Sequence, residues 1–468
     1  MLKIPLNKLS RKGHVYNAPW EKAFDQVLTP IEIFIHRQTT SGILLFTCAV
    51  VAMFIANSDY SVAYGKFLKT YFTLSFGEWQ LSLSLHHWIN DFVMAWFFLH
   101  VGLELKREIQ VGELSDVKKA LLPIMAAIGG MVVPASFYLM LNPSGHMADG
   151  WGIPMATDIA FAIGTIALLG AKVPKSLVMF LVALAIVDDL GAIAVIALFY
   201  TQDLDLNALI YAGMTTALLM VLNLGGIRRS LPYLLVGAFL WLFLLKSGIH
   251  ATLAGVILAF TIPAKPKYDP EAFSAQIKRL TRMFDGAYRP GEDIVRNDRL
   301  RSYVQSLESG VRLVQAPLQV IEHALHLPVT YIVIPIFALA NAGLPFEVLQ
   351  GDALTHPITL GVIFGLVGGK LIGISGATWI GWKMGLGKLP EGCSFQHIIG
   401  VSLLGGIGFT MSIFIAELGF ATNAEDLLMA KAGIVIGSLV AGIGGFLCLY
   451  FAPHDATAEP QENEVEMT

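Results

Sequence analysis

The sequence predicts an all-α polytopic membrane protein of about twelve transmembrane helices, on three grounds: a charge-poor composition, apolar runs of spanning length, and the sign of the charges between them. Of 468 residues, 55% are hydrophobic and 14% charged, against about 25% charged in a soluble domain. The 45 glycines fit helices that approach closely or break within a bilayer. A net charge of −4 over this length gives no basis for nucleic-acid binding. Cys48, Cys393 and Cys448 are odd in number and scattered, which argues against a disulfide framework and against a metal knuckle.

Residues 1–39 are a polar, basic cytoplasmic segment without an apolar core near its start, so the first run is read as a retained span and not a cleavable signal. That run, 40–57, is followed by 88–106, 119–141, 151–170, 175–200, 207–224, 231–246, 248–263, 327–345, 357–382, 398–419 and 430–451. A span needs about 20 largely apolar residues; the seventh and eighth runs are short and parted by little more than Lys246 to Gly248. With the amino terminus inside, the inner loops hold Lys106, Arg107, Lys118, Lys119, Lys172, Lys175, Arg228, Arg229, Lys383, Lys388 and the basic stretch 265–312. The outer loops hold Asp149, Asp203, Asp205, Glu347, Asp352, Glu425 and Asp426, with Lys66, Lys69, Lys246 and Lys431 as basic exceptions. Cytoplasmic loops favour Lys and Arg, so both termini are placed in the cytoplasm around a membrane domain at 40–451.

Two connections carry structure of their own. Tyr71 to Leu85 alternates apolar and polar residues about a Phe76-Gly77-Glu78 turn, so 71–85 predicts a small extracytoplasmic β-hairpin. A lone hairpin is marginal in water; pairing with a second copy in a homodimer and packing on its own loops are both open at this point. The segment 264–326 mixes acidic and basic residues with few apolar ones and reads as a solvated cytoplasmic insertion with short helices. Residues 452–468 form an acidic tail with the composition of a disordered segment.

Residues 124–136, IMAAIGGMVVPAS, and 363–375, IFGLVGGKLIGIS, share Ile, Gly-Gly and Ser at identical spacing, with Met131 matched to Lys370. On twelve spans the two copies run in opposite directions, as in an inverted repeat. A weaker echo follows each copy: Thr157-Asp158-Ile159-Ala160-Phe161 and Thr410-Met411-Ser412-Ile413-Phe414 share Thr and Phe. Gly152 and Pro154 near the first, and Gly405, Gly406 and Gly408 near the second, predict two discontinuous helices. Paired broken helices point to an ion site at the midplane.

The chemistry follows from the ionisable residues inside the apolar runs. An acid at the bilayer centre costs about 2.5–3.5 kcal/mol on insertion scales, yet Asp158, Asp188 and Asp189 lie near mid-span, with Lys370 in the tenth run. A water-filled cavity with mutual pairing would compensate. Adjacent helix residues point about 100° apart, so one of Asp188 and Asp189 is expected to pair with Lys370 while the other faces the cavity. Carboxylates, the Thr157 hydroxyl and carbonyls freed at a helix break are hard oxygen ligands that suit a monovalent cation. Burial disfavours the charged form of an acid, so protons and sodium would compete for these aspartates, and competition with alternating access suffices for exchange. A single intramembrane aspartate can be a helix-packing hydrogen bond; four such groups together argue for a site. Asp91, nearer the outer end of its span, and His250, at a helix start after Lys246-Ser247-Gly248, each also read as packing or cap residues. Glu104 and Glu108, one turn apart, read with Lys106 and Arg107 as a solvated face or as the border of an entry funnel.

At these residues the chain resembles the NhaA-type sodium/proton antiporter family. The matching stretches are Trp88-Ile89-Asn90-Asp91, Val101-Gly102-Leu103-Glu104, ATDIAFAIG at 156–164, ALAIVDDLGAIA at 183–194, SGIHATLAGVI at 247–257, FALANAG at 337–343 and GGIGFTMSIFIA at 405–416. The resemblance runs in order over residues 30 to 450, and its double-aspartate and Gly-Ile-Gly-Phe-Thr-Met-Ser runs are highly specific. It implies an electrogenic exchanger that exports sodium or lithium against a larger number of protons. Such a protein is a secondary transporter and not an enzyme, needs no cofactor, is silenced at acidic pH, and serves sodium and pH homeostasis. Asp189 is implied as the principal ion-binding carboxylate, with sodium held at Asp188 and Asp189 and Asp188 as partner of Lys370. Thr157 and Asp158 match the first helix break, where Asp158 would offset the dipole charges of two crossing helices, and GGIGFTMS matches the second. Glu104, Glu108, His250, Glu322, His323 and His326 match the pH-response region. A homodimer through the outer hairpin and a place in a bacterial inner membrane are implied as well. Two departures stand out: Leu-Ile-Gly follows Lys370 where Pro-Leu-Gly is usual, which would alter a local bend, and the insertion that abuts Glu322 is unusually long.

An intramembrane aspartyl protease also needs two membrane aspartates, but the Gly-x-Gly-Asp motif of those enzymes is absent and Lys370 would have no role. A cation channel would carry flux untied to protons, and a pH- and sodium-gated sensor would carry none.

Overall fold

Within a bilayer an apolar segment can satisfy its backbone polar groups only internally, and the described residues are mostly helical. The computed structural model describes residues 38–453 apart from 78, 202–203, 267–268, 290–296 and 351. Most of the amino-terminal segment 1–39 and of the acidic tail 452–468 lies outside the described residues.

Helix α1 (Gln38–Ala56) is followed by α2 (Ser61–Leu68), bent 114° away from it, and by the hairpin strands β1 (Tyr71–Phe76) and β2 (Trp79–Ser84). A π-helical turn (Trp88–Val93) leads into α3 (Met94–Val111), then α4 (Val117–Leu141). A 3-10 segment (His146–Met155) precedes α5 (Ile159–Leu169), and α6 (Lys175–Phe199), α7 (Leu206–Leu224), α8 (Ser230–Ser247) and α9 (Leu253–Thr261) follow. The insertion forms α10 (Pro270–Ala287) and α11 (Asp298–Val314), two amphipathic helices packed on each other with Leu280 and Leu300 buried. Then come α12 (Pro317–Pro328), α13 (Ile334–Asn341), α14 (Pro357–Phe364), α15 (Lys370–Lys383), α16 (Phe395–Leu404), α17 (Phe409–Gly419) and α18 (Ala424–Tyr450).

By length and composition, eight helical stretches among the described residues can cross a membrane, or ten if the bent pairs α1–α2 and α16–α17 each count as one. The two expected runs outside that count are 88–106 and 248–263. The first becomes α3, which carries Glu104, Lys106, Arg107 and Glu108; the second holds only the nine-residue α9.

The hairpin has the expected register, from Tyr71 opposite Ser84 to Phe76 opposite Trp79, with Gly77 at φ +60° in the turn. Helix α2 lies between the first apolar run and the hairpin, where the sequence pattern predicts no element. The ninth run also begins earlier than its expected boundary at 327. Pro328 looks like a helix stop, but a π-helical turn (Val329–Val333) absorbs the missing N–H, and α12 runs on into α13. Glu322, His323 and His326 therefore sit on a membrane helix and not in the insertion.

The two copies of the repeat meet. Helices α4 and α15 pack antiparallel so closely that a Cβ on Gly129 would lie 2.2 Å from the Gly373 carbonyl oxygen, and one on Gly373 equally close to that of Gly129. The chain after Lys370 stays helical through Leu371, Ile372 and Gly373. Both copies address α6: Lys370 reaches Asp188, while the Met131 sulfur fills the space where a Cβ on Gly191 would sit.

A candidate cation site between two helix breaks

The first break is Ala156 to Asp158, extended between the 3-10 segment and α5; the second is Gly405 to Gly408, where α16 and α17 meet at 46°. Gly406 is required there, because a Cβ would lie 2.2 Å from the Leu366 carbonyl oxygen. The breaks hold each other. The Asp158 N–H donates to the Ile407 carbonyl at 2.6 Å, and Ser412 Oγ donates to that of Ile153 at 2.7 Å.

Asp158 caps both helices that start at the breaks. Its carboxylate accepts from Phe161 N–H of α5 at 3.1 Å and from Thr410 N–H and Oγ1 of α17 at 3.0 and 2.5 Å. A carboxylate at a helix amino terminus meets unpaired N–H groups and the positive end of the dipole; here one carboxylate serves two.

Asp188 and Asp189 lie on α6, both 1% exposed. Asp188 Oδ2 takes the Lys370 ammonium at 2.5 Å and lies 2.6 Å from Thr157 Oγ1. Thr157 Oγ1 accepts from Lys370 at 3.0 Å and also lies 2.8 Å from the Gly405 carbonyl oxygen. Asp189, turned by one helix step, joins no part of this network, and its Oδ1 has no hydrogen-bond partner among the described residues. It lines a cavity of about 380 Å³ together with Asp158, Thr157, Thr410, Glu104, His100 and His326. The three carboxylates and two threonine hydroxyls are oxygen ligands suited to a small hard cation, and burial favours the neutral, protonated form of such acids when no cation is there.

The pH-response candidates divide between two places. Arg107 gathers Glu104 at 3.8 Å, Glu108 at 2.8 Å and Glu322 in a short contact, at the end of the cavity away from the hairpin. His326 lies near His100, with ring centroids 5.6 Å apart and the rings tilted by 52°, while His323 is exposed beside Glu322 and outside the cavity lining. His250 lies toward the hairpin end, with Nδ1 3.0 Å from Thr252 Oγ1 and Nε2 4.0 Å from Asp91 Oδ1. Asp91 and His250 are thus neighbours, which their 159-position separation hid (91 to 250).

Lys106 departs from the expected solvated face. It is buried, and its ammonium donates to the carbonyls of Phe260 at 2.6 Å and Ile262 at 2.5 Å, closing the carboxyl end of α9. On α3 it points away from Glu104 and Glu108, as a helix step of about 100° requires. Sequence reasoning also missed Thr410 as a capping partner, although its echo of Thr157 was the signal, and passed over His100 and the pair Glu417–Lys431 at 2.6 Å.

A family model described as Na+/H+ antiporter 1 matches residues 32–449. The chain is 53% identical over 432 residues to a protein named Na(+)/H(+) antiporter NhaA 1 from Saccharophagus degradans, covering 92% of this chain and 93% of the relative. It is 49% identical over 440 residues to Na(+)/H(+) antiporter NhaA of Sulfurimonas denitrificans, covering 94% and 99%. With the protein of the same name from Dichelobacter nodosus it shares 43% over 457 residues, covering 97% and 98%.

Proposed function

The chain belongs to the Na+/H+ antiporter 1 family, and from that premise we propose that sodium and protons compete in it for one buried pair of carboxylates, Asp188 and Asp189, exposed in turn to the two sides of the membrane. It is a multi-pass membrane protein and a sodium/proton antiporter, a secondary transporter and not an enzyme. The observation that carries the site is Asp189: a buried carboxylate whose Oδ1 has no hydrogen-bond partner among the described residues, facing a cavity beside Thr157 and Asp158. Asp188 is already held by Lys370, so Asp189 takes the incoming ion first and Asp188 completes its coordination.

Twelve spans with both termini inside follow if α3 and α9 cross too. Their close packing supports this, since a Cβ on Gly255 of α9 would lie 2.3 Å from the Ala95 carbonyl oxygen of α3. The broken pairs at 156–158 and 405–408 are then the discontinuous helices. Arg107 with Glu104, Glu108 and Glu322 guards the inner mouth as the pH-responsive group. The hairpin, with Tyr71, Phe72 and Leu74 exposed, is the contact for a second copy.

In everted vesicles, adding sodium or lithium to the wild-type protein should collapse a preformed pH gradient, and Asp189→Asn should abolish the collapse at equal protein level. Full exchange by that variant would remove the site assignment. Sodium flux without proton movement would point to a channel.

A further inference from the structure

Helix α17 starts at the ion site and ends in a second polar cluster that the exchange mechanism above does not use. Thr410, Phe414 and Glu417 fall at i, i+4 and i+7 and so form one stripe on this helix. The stripe spans about 10 Å from Thr410 to Glu417. Thr410 binds Asp158. Phe414 is fully buried, with the rings of Phe98, Phe337 and His250 centred 5.4, 6.1 and 5.6 Å away. Glu417 Oε1 then meets Lys431 Nζ of α18 at 2.6 Å, and its Oε2 lies 3.9 Å from His86 Nε2, just after the hairpin. His86 Nε2 is 2.9 Å from Asn341 Oδ1, and Asn341 donates to Asn90 at 2.9 Å. Four separate segments of chain are joined over the end of the stripe.

Helix α18 grips α17 at both ends. Lys431 holds Glu417, and seven residues on, Ser438 Oγ accepts from Gly408 and Phe409 N–H at 3.2 Å each, at the break. The cavity that holds Asp189 extends the other way, toward Glu104 and His326. From the site, then, one direction is cavity and the other is an aromatic plug backed by an ion pair.

We propose that the Glu417–Lys431 pair, with His86 beside it, is the gate on the hairpin side of the ion site. It holds that side shut while the cavity is open at the opposite end, and it parts when the site turns to the hairpin side. Both side chains are about 11–12% exposed, and a largely buried ion pair that loses one partner leaves an uncompensated charge that water stabilises. Removing either charge therefore drives the outer end of α17 toward solvent, while exchanging the two charges leaves the closure intact. Glu417 and Lys431 are positioning residues, acting on the ion only through α17.

The gate rests on the exchange reading for its purpose, but its test is separate from transport. A single cysteine replaces Met411 in the cavity lining of a chain whose Cys48, Cys393 and Cys448 are alanines, with Ile163→Cys as a second reporter. Labelling by a membrane-impermeant maleimide is followed from each side of the membrane. Lys431→Met and Glu417→Gln should each raise the hairpin-side labelling rate at least about tenfold, because unpairing a largely buried ion pair shifts an equilibrium by more than that. The double variant Glu417→Lys/Lys431→Glu should return the rate to that of the parent. Unchanged hairpin-side labelling in both single variants overturns the gate, and so does a charge-swapped protein that labels like the single variants. Absence of sodium-driven proton movement in the parent would sink the exchange reading alone.

Discussion

One helix step separates Asp188, which meets Lys370 at 2.5 Å, from Asp189, whose Oδ1 has no hydrogen-bond partner among the described residues. The sequence made plain that the two could not share a partner squarely. Helix geometry left open which one takes the lysine, and only the resemblance pointed to Asp188, because the choice depends on how α15 packs on α6, a contact 182 positions away. Removing only one member of a fully buried pair costs about 3–5 kcal/mol, while removing both charges is close to neutral. Lys370→Met should therefore lower the thermal midpoint of the purified protein sharply, and Lys370→Met/Asp188→Asn should recover most of the loss. A double variant as unstable as Lys370→Met would mean that the lysine acts by packing and not by charge. Lys106 was illegible for a related reason: its charge suggested solvent, and only the end of α9 reveals three carbonyls around it.

Helix edges were read well where a cap or a loop marks them and poorly where the chain bends without one. The breaks at 156–158 and 405–408 announced themselves through proline and glycine, and the hairpin through its alternation. The continuation of α12 across Pro328 did not, since a π-helical turn leaves no mark in composition. The repeat was visible because Gly-Gly recurs in it, and the structure sets one glycine of each pair against the other copy: a Cβ on Gly129 would lie 2.2 Å from the Gly373 carbonyl oxygen and one on Gly369 2.6 Å from the Pro134 Cα. Gly373→Val should force α4 and α15 apart and give a protein that aggregates or unfolds early in a detergent melt. Gly376→Ala on the same helix, with open space around its Cβ, should match the parent. Equal melting of the two variants would deny the close crossing its role.

For the whole molecule, composition carried the polytopic membrane class, while the number of spans, eight to ten among the described residues by length and composition, and the end at which each group gathers needed the structure. Glu322, held by Arg107, and His250, beside Asp91, belong to opposite ends of the bundle, although the resemblance assigns Glu322 and His250 to one pH-response region. The proposed twelve-span arrangement would put the hairpin and the insertion on opposite sides. In intact cells an impermeant maleimide should label a cysteine at exposed Ser75 and spare one at exposed Ser302; labelling of both would break that arrangement. A last consequence belongs to Thr157. Its hydroxyl carries a single hydrogen, yet two acceptors lie within reach, Asp188 Oδ2 on α6 and the Gly405 carbonyl oxygen at the second break. When Asp188 is itself protonated, that hydrogen is released to swing toward Gly405. A proton taken by Asp188 would then be felt at the second break through the turn of one bond.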